Sequence, residues 1–432
     1  MRSTFTAMAL ALAAMASPAA AQYANPPASS SSAGPPSMGP APAGPAVAAV
    51  PAEPQLCPTT ISKGARKPLI ALQTALDAKD AAGFAAADVV AHAAASTPED
   101  RCVLAQLELN FAGGRGDFGG VATALDAVAT SGVGNQARLV ALTDQLGKLR
   151  FNAKDYVGAA TAFERATRLA PNDGDQYILL GETRAKTGQT DAALTLYRKA
   201  IAVQAAAGGK VKEDYLKHAV ALAYDSKNPQ AFDLARAWVA AYPSPKNWRD
   251  ALKIYSNLSA ISGGDLIDVY RLQRATHSLA GEADFGHYAE VALAKGLIGE
   301  AVGELDEGIS ANAISATSPA IKTIRAQGAG KVAADRASLS GAATKALAGS
   351  LAKPAQVTAD ALYGYGDYAK AATLYRAALG KSGGDASEIN LRLGSALTMS
   401  GDKAGAKAAF DLVTGPRAEV AKYWLIYLAQ RP

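Results

Sequence analysis

The chain is poor in the residues that catalytic, metal-binding and nucleic-acid-binding proteins usually concentrate. It has 432 residues but only two cysteines and four histidines, with 6% aromatic and 19% charged residues. The histidines are His92, His218, His277 and His287. Only His287 with Glu290, at i and i+3, has a metal-ligand spacing, and no third ligand joins them, so neither a metal nor a cofactor is expected. No Ser-His-Asp or Cys-His constellation can be assembled from spacing, and no carboxylate pair stands apart from helix-surface charge, so no catalytic residues are named and the chain is not read as an enzyme. The formal net charge is +5, which is small for this length. The nearest approach to a basic cluster is Lys63, Arg66 and Lys67, too few for a nucleic-acid surface. Alternating runs rich in Val, Ile and Thr do not appear, which argues against strands. No apolar run reaches the roughly 20 residues that a spanning helix needs.

Three motifs resemble catalytic or phosphate-binding loops and fail on context. Gly114-Arg115-Gly116-Asp117-Phe118-Gly119 has dinucleotide-loop spacing, but a helical segment precedes it where a strand is required. Lys186-Thr187-Gly188 and Ser400-Gly401-Asp402-Lys403 fall where the pattern places turns, in the wrong order for penicillin-binding enzymes.

The N-terminal region is of a different kind. Met1 to Ala21 carries one charge, Arg2, an apolar core from Phe5 to Ala16, and Ala19-Ala20-Ala21 as a small-residue cleavage site. This reads as a secretory signal cleaved after Ala21, leaving a periplasmic or secreted protein that does not span a membrane. Residues 22–56 are dominated by Pro, Ala, Ser and Gly and are expected to form a disordered tether. Cys57 and Cys102 follow. An even count in an oxidising compartment suggests a disulfide pinning the first helix pair to the second; the alternative is two unpaired thiols.

What the chain does have is apolar spacing at helical period and a repeat. Leu146-Gly147 recurs as Leu180-Gly181, 34 positions on. Ala159, Phe163 and Ala166 recur as Ala193, Tyr197 and Ala200. Gly366-Asp367, Ala371, Tyr375 and Ala378 make another copy, and Leu393-Gly394, Gly401-Asp402, Ala406 and Phe410 a fourth. Small residues stand where two helices approach closely, and an aromatic fills the space above them. Gly296 and Gly366 are read as inter-helix turns, where Gly366→Pro should disturb the fold far less than Ala371→Trp.

This pattern resembles the tetratricopeptide repeat family, of an exported bacterial type. The resemblance implies an all-α fold, a right-handed superhelical solenoid of antiparallel helix pairs. It is specific over 140–173, 174–207, 352–386 and 387–420. The domain reading is degenerate N-terminal repeats over 57–135, repeats over 136–315, an irregular helical insert over 316–351, and C-terminal repeats with a capping helix over 352–432.

In this family ligands lie in a groove lined by the first helix of each repeat. Transferred position by position, the partner-binding candidates are Asp144, Lys148, Phe151, Asn152, Ile178, Glu182, Lys186, Gln356, Asp360 and Tyr363. Leu391, Ser395 and Met399 hold the corresponding places in the last repeat. The Lys and Asn of the family's carboxylate clamp are replaced at their two positions, so that clamp is absent. The implied function is a scaffold for a protein or extended peptide, in envelope assembly or export, or in a cell-wall complex. The alternative is a glycan-binding or wall-active protein or enzyme subunit, which would show a deep pocket with convergent carboxylates; a scaffold would show an open groove and no buried titratable cluster. A third reading, a carrier of small ligands, would need an enclosed apolar cavity near Trp238 and Trp248.

Overall fold

The computed structural model describes residues 54–431 except Ala260 and Ser262. The signal, its cleavage point and nearly all of the tether lie outside the described residues. The chain divides into two compact units between Gly188 and Gln189. Among the described residues every regular element is helical, apart from an isolated bridge between Leu351 and Ser382. None of these helices is long and apolar enough to cross a membrane.

The N-terminal unit contains α1 (Lys63–Asp77), α2 (Ala81–Ala94), α3 (Pro98–Gly114), α4 (Phe118–Ser131), α5 (Gln136–Asn152), α6 (Tyr156–Leu169) and α7 (Gly174–Lys186). The turn inside each of its pairs uses one device. A residue with positive φ, at Lys79, Gly116 and Lys154, precedes an aspartate that caps the next helix. Asp80, Asp117 and Asp155 each accept, at 2.9 Å, from the backbone N–H three residues on, which belongs to Gly83, Gly120 and Gly158. The glycine leaves room for the carboxylate: a Cβ built there would meet it within 2.2–2.5 Å. Such a cap contributes about 1 kcal/mol. Asp402 repeats the arrangement with Gly405 in the other unit, whereas Asp367, followed by Lys370 in place of the glycine, makes no side-chain cap. The Gly114–Gly119 motif is thus the end of α3, this turn and the start of α4.

The aromatic and the small residue meet as the repeat requires. A Cβ on Gly147 would lie 2.5 Å from the Phe163 ring, and one on Gly394 would lie 2.5 Å from Phe410. An aromatic ring can lie this close to a helix backbone only over glycine, so the Leu-Gly pairs are a packing requirement. Gly366 is an inter-helix turn, but at φ +80° with its N–H donating to the Tyr363 carbonyl. Proline can supply neither that angle nor that donor, so the tolerance expected of Gly366→Pro is corrected: the change would break the turn.

The leading segment is fastened early. Cys57 and Cys102 form a disulfide with their Cα atoms 5.7 Å apart. It anchors the approach to α1 onto α3, in a core shared with Leu125, Leu139 and Leu146. Leu56, placed by composition at the end of the tether, is buried in that core, and its carbonyl accepts from Asn135 N–H at 2.7 Å. Asp100 adds a second tie. Burial pushes its carboxyl up, but bonds from Ser62 and Thr97 outweigh that and hold it below the usual range.

The C-terminal unit contains α8 (Thr190–Ala206), α9 (Glu213–Asp225), α10 (Gln230–Ala241), α11 (Pro245–Leu258), α12 (Leu266–Ala275), α13 (Gly281–Ala294) and α14 (Ile298–Ser310). It continues with α15 (Pro319–Ala329), α16 (Val332–Ala348), α17 (Ala352–Gly364), α18 (Tyr368–Leu379), α19 (Ala386–Ser400), α20 (Lys403–Asp411) and α21 (Ala418–Gln430). The segment 316–351, read as an irregular insert, holds two helices, α15 packed on α13 and α14 and α16 packed on α14, α17 and α18. Its Gly328 packs against α14, where a Cβ would lie 2.9 Å from Val302. The last helix, α21, packs on α19 and α20 as a cap would, and also reaches back to α10, α11 and α12. Gln430 donates to the Val239 carbonyl at 2.8 Å, Glu419 pairs with Arg236, and Tyr423 lies 6.1 Å from the rings of both Trp248 and Tyr255. It therefore closes the unit on itself.

Replacing both cysteines by alanine is expected to cost the N-terminal unit about 4 kcal/mol, the loop-closure value for a 45-position loop. Urea denaturation with and without reductant measures it. An unchanged midpoint on reduction would show that Leu56 and Asp100 hold the segment without the bond.

Candidate functional site

The ten groove positions separate into two environments. Those on α5 and α7 reach solvent to differing degrees, except Ile178, which is buried in the core and is no groove residue. Lys148 is exposed and pairs with Asp144 at 2.6 Å, an i, i+4 contact that holds neither side chain strongly. Phe151 is half-buried, its ring 5.4 Å from Tyr156 at a steep angle, and Asn152 beside it is exposed. On α7, Ile178 is buried, Glu182 is half-buried and Lys186 is exposed. Together they make a mixed-charge face with an aromatic edge.

The positions in the C-terminal unit are not a groove. Gln356, Asp360 and Tyr363 are buried, as are Leu391 and Ser395. The reading of Asp360 and Tyr363 as partner-binding is corrected by what covers them, which is α12 of the same chain. Arg271 on α12 grips Glu300 of α14 through Nε at 2.8 Å and Nη2 at 2.7 Å, and its Nη1 donates to Asp360 at 3.1 Å. Its guanidinium lies over the Tyr363 ring, 4.3 Å from the centroid. Arg392 on α19 grips Asp268 of α12 at 3.0 and 3.3 Å and donates to the other oxygen of Asp360 at 2.9 Å. Tyr375 and Tyr288 complete the set, donating to Asp360 at 2.6 Å and to Glu300 at 2.7 Å.

The electrostatics follow from this pairing. Burial raises Asp360, but Arg392 and Arg271 outweigh it and keep its carboxyl below the usual range. Asp268 has one close arginine and stays raised, burial being the larger cause. Burial, reinforced by the neighbouring carboxylates, pushes the Tyr288 and Tyr375 phenols well up, so both remain hydrogen-bond donors. Glu304 is the exception. Arg274 Nε lies 2.9 Å from it yet is aligned on Glu307, and burial pushes the Glu304 carboxyl up to about 8.

A buried titratable cluster is therefore present, contrary to the expectation for a scaffold, but it is not a reaction centre of the kind the enzyme alternative needs. Its three central carboxylates, Asp268, Glu300 and Asp360, are engaged by arginine and inaccessible. A depression of about 420 Å³ in this unit lies elsewhere and is lined by residues that include Trp248, His277, Tyr427 and Arg431, with no carboxylate side chain. It is open, so the enclosed cavity of the carrier reading is not found there, and Trp238 is buried with its Nε1 donating to Glu213.

One cluster was missed in the sequence. Asp88, His92 and Glu108 bring their ligand atoms within 4.8 Å of one another. The i, i+4 spacing of Asp88 and His92 was readable on α2; Glu108 arrives from α3, which spacing alone does not show.

No protein-family model matches the chain, and no curated protein does. Solved structures with detectable similarity include TPR domains. They include the TPR2AB domain of yeast Sti1 in its Hsp90 complex, 13% identical, covering 68% of this chain and 100% of that one, at a TM-score of 0.26. The TPR domain of P58(IPK) is 13% identical over 78% of this chain and 98% of that one, at 0.23, and the Cut9–Hcn1 complex gives 12%, 84%, 66% and 0.18. Scores this low carry no argument. The description as tetratricopeptide-like helix pairs rests on the chain's own register and on Gly147 under Phe163 and Gly394 under Phe410.

Arg271→Met should destabilise the C-terminal unit by about 3–5 kcal/mol, because Glu300 and Asp360 would be left buried without their shared cation. Chemical denaturation of the full chain measures this, and a loss below about 1 kcal/mol would mean that water reaches the cluster. Glu304 gives a pH dependence. A carboxyl raised from 4.5 to about 8 binds its proton more tightly when folded, so the stability it confers is complete below the lower value and lost as pH rises through the higher one. Glu304→Gln should flatten the resulting fall in Tm between about pH 5 and pH 9. An equal fall in the variant would place the titration on another group.

Proposed function

We propose that this chain is an exported, periplasmic scaffold whose N-terminal unit binds an extended peptide or a partner helix, in envelope assembly or export. The observation that carries the reading is the contrast between equivalent positions. Asp360, which follows the small residue of its repeat, has its charge matched inside the chain, whereas Lys148, which follows Gly147, reaches solvent with only Asp144 beside it. Lys148 and Lys186 offer cations, Asp144 an anion, and Phe151 an aromatic edge, which suits a ligand with mixed charge and one apolar anchor. The helices that present them are formed before the partner arrives, so binding orders little of the scaffold. Export is supported by the signal-like Met1 to Ala21 and by a disulfide joining the chain's only cysteines, a bond that persists in oxidising compartments.

Cross-linking in intact envelopes should capture one stoichiometric partner with the full chain. Phe151→Ala combined with Lys148→Glu should reduce that capture by ten-fold or more, which corresponds to about 1.4 kcal/mol, and leave the fold unchanged by circular dichroism. Retention on purified wall glycan without a protein partner would instead favour the glycan-binding alternative. Capture unaffected by the double change would move the contact off this face.

A further inference from the structure

Outside the groove, the cluster with the most defined chemistry joins the first helix pair to the second. Asp88 and His92 stand four residues apart on α2 and so lie on one face, and α3 brings Glu108 against them. His92 Nε2 is 2.6 Å from Glu108 Oε1 and 3.8 Å from Asp88 Oδ2. Asp88 Oδ1 is shielded from solvent and has no hydrogen-bond partner. Two carboxylates thus crowd one imidazole. Burial and the negative charge of Asp88 both push the Glu108 carboxyl up, against the pull of His92.

We propose that Asp88, His92 and Glu108 form a binding site for a divalent transition-metal ion of the zinc class. One imidazole nitrogen with two carboxylate oxygens suits that class, whereas calcium and magnesium take oxygen ligands alone. The fit is close. Bonds of about 2.0–2.2 Å in tetrahedral geometry set ligand atoms ~3.3 Å apart. The His92–Glu108 contact would open by about 0.7 Å and the His92–Asp88 contact close by about 0.5 Å, while the Asp88 and Glu108 oxygens, within 4.8 Å of each other, would be drawn to the same spacing by side-chain rotation on fixed helices. The metal would replace the proton shared by His92 and Glu108 and neutralise the two carboxylates. A fourth position stays open, because His92 is 59% exposed. Structurally the ion would tie down the end of α2, a helix with only Phe84 and Ala91 buried.

The test is equilibrium dialysis of the tag-free full chain against Zn2+, with competition by a chelator of known affinity, and thermal melts alongside. One equivalent should bind, and Tm should rise with Zn2+ concentration because the ion binds the folded state. His92→Ala should weaken binding more than about 100-fold, beyond the cost of losing a supporting residue around a metal, while keeping the metal-free Tm within a few degrees. Asp88→Asn and Glu108→Gln, which preserve shape, should each weaken binding as well. His287→Ala, removing the other histidine beside a carboxylate, should change nothing. No binding to the wild-type chain, or binding undiminished by His92→Ala, would overturn the proposal.

Discussion

Asp360 is held by two arginines at once, and the closed form of the C-terminal unit depends on that sharing. Arg271 comes from α12 and Arg392 from α19, and the carboxylate between them sits on α17. Arg271 also fixes Glu300 on α14, and Arg392 also fixes Asp268 on α12. Four helices separated by up to 124 positions in sequence are thereby set in one register. Apolar packing alone would not do this, since an Ala-rich stripe can slide by a turn at little cost, whereas a bidentate arginine must find both oxygens. Desolvating five charges is expensive, so the network is better understood as specifying an arrangement than as adding stability. The phenols of Tyr288 and Tyr375 belong to the same logic, satisfying carboxylate lone pairs that would otherwise be buried bare.

The N-terminal unit achieves order by different means. Apolar cores are built on Leu69, Leu72 and Phe84 and on Leu125, Leu139 and Leu146. The strongest ties are local or covalent: Asp-x-x-Gly caps at the turns, the buried Asp100 bridging the starts of α1 and α3, and the disulfide. Ties of this kind fix each helix pair without an internal element crossing the face presented by α5 and α7.

The sequence carried the repeat well, for a physical reason. Gly147 and Phe163 sit on helices joined by a turn of a few residues, so their contact appears as a fixed spacing, and Gly394 with Phe410 repeats it. The turns at Lys154-Asp155, Gly366-Asp367 and Gly401-Asp402 were legible for the same reason. Residues 316–351 were harder: α16 buries only Leu339 and Ala346, so its apolar stripe is too thin to set a phase. The closure of α21 onto α10, and the burial of Asp360 against Arg271, join parts of the chain 191 and 89 positions apart. No local pattern encodes such pairs. The cluster of Asp88, His92 and Glu108 stood between the two cases, half of it written in one helix and half supplied by the next.

These differences bear on how a groove residue is recognised. Lys148, Asp360 and Ser395 occupy the same place in their repeats, one residue past the small position. Repeat register places all three on the same face of their helix pairs, and at Asp360 that face receives Arg271 of α12. What register cannot say is whether such a face is covered by the same chain. The deciding quantity is charge left unmatched after folding. Asp360 meets two guanidiniums and a phenol, all buried, so any outside partner would have to displace α12 against the cost of exposing Arg271 and Asp268 unpaired. Lys148 meets one aspartate in an exposed contact of a few tenths of a kcal/mol. Exchanging that contact for one to a partner costs almost nothing, which is why the proposed peptide site is set on the α5–α7 face.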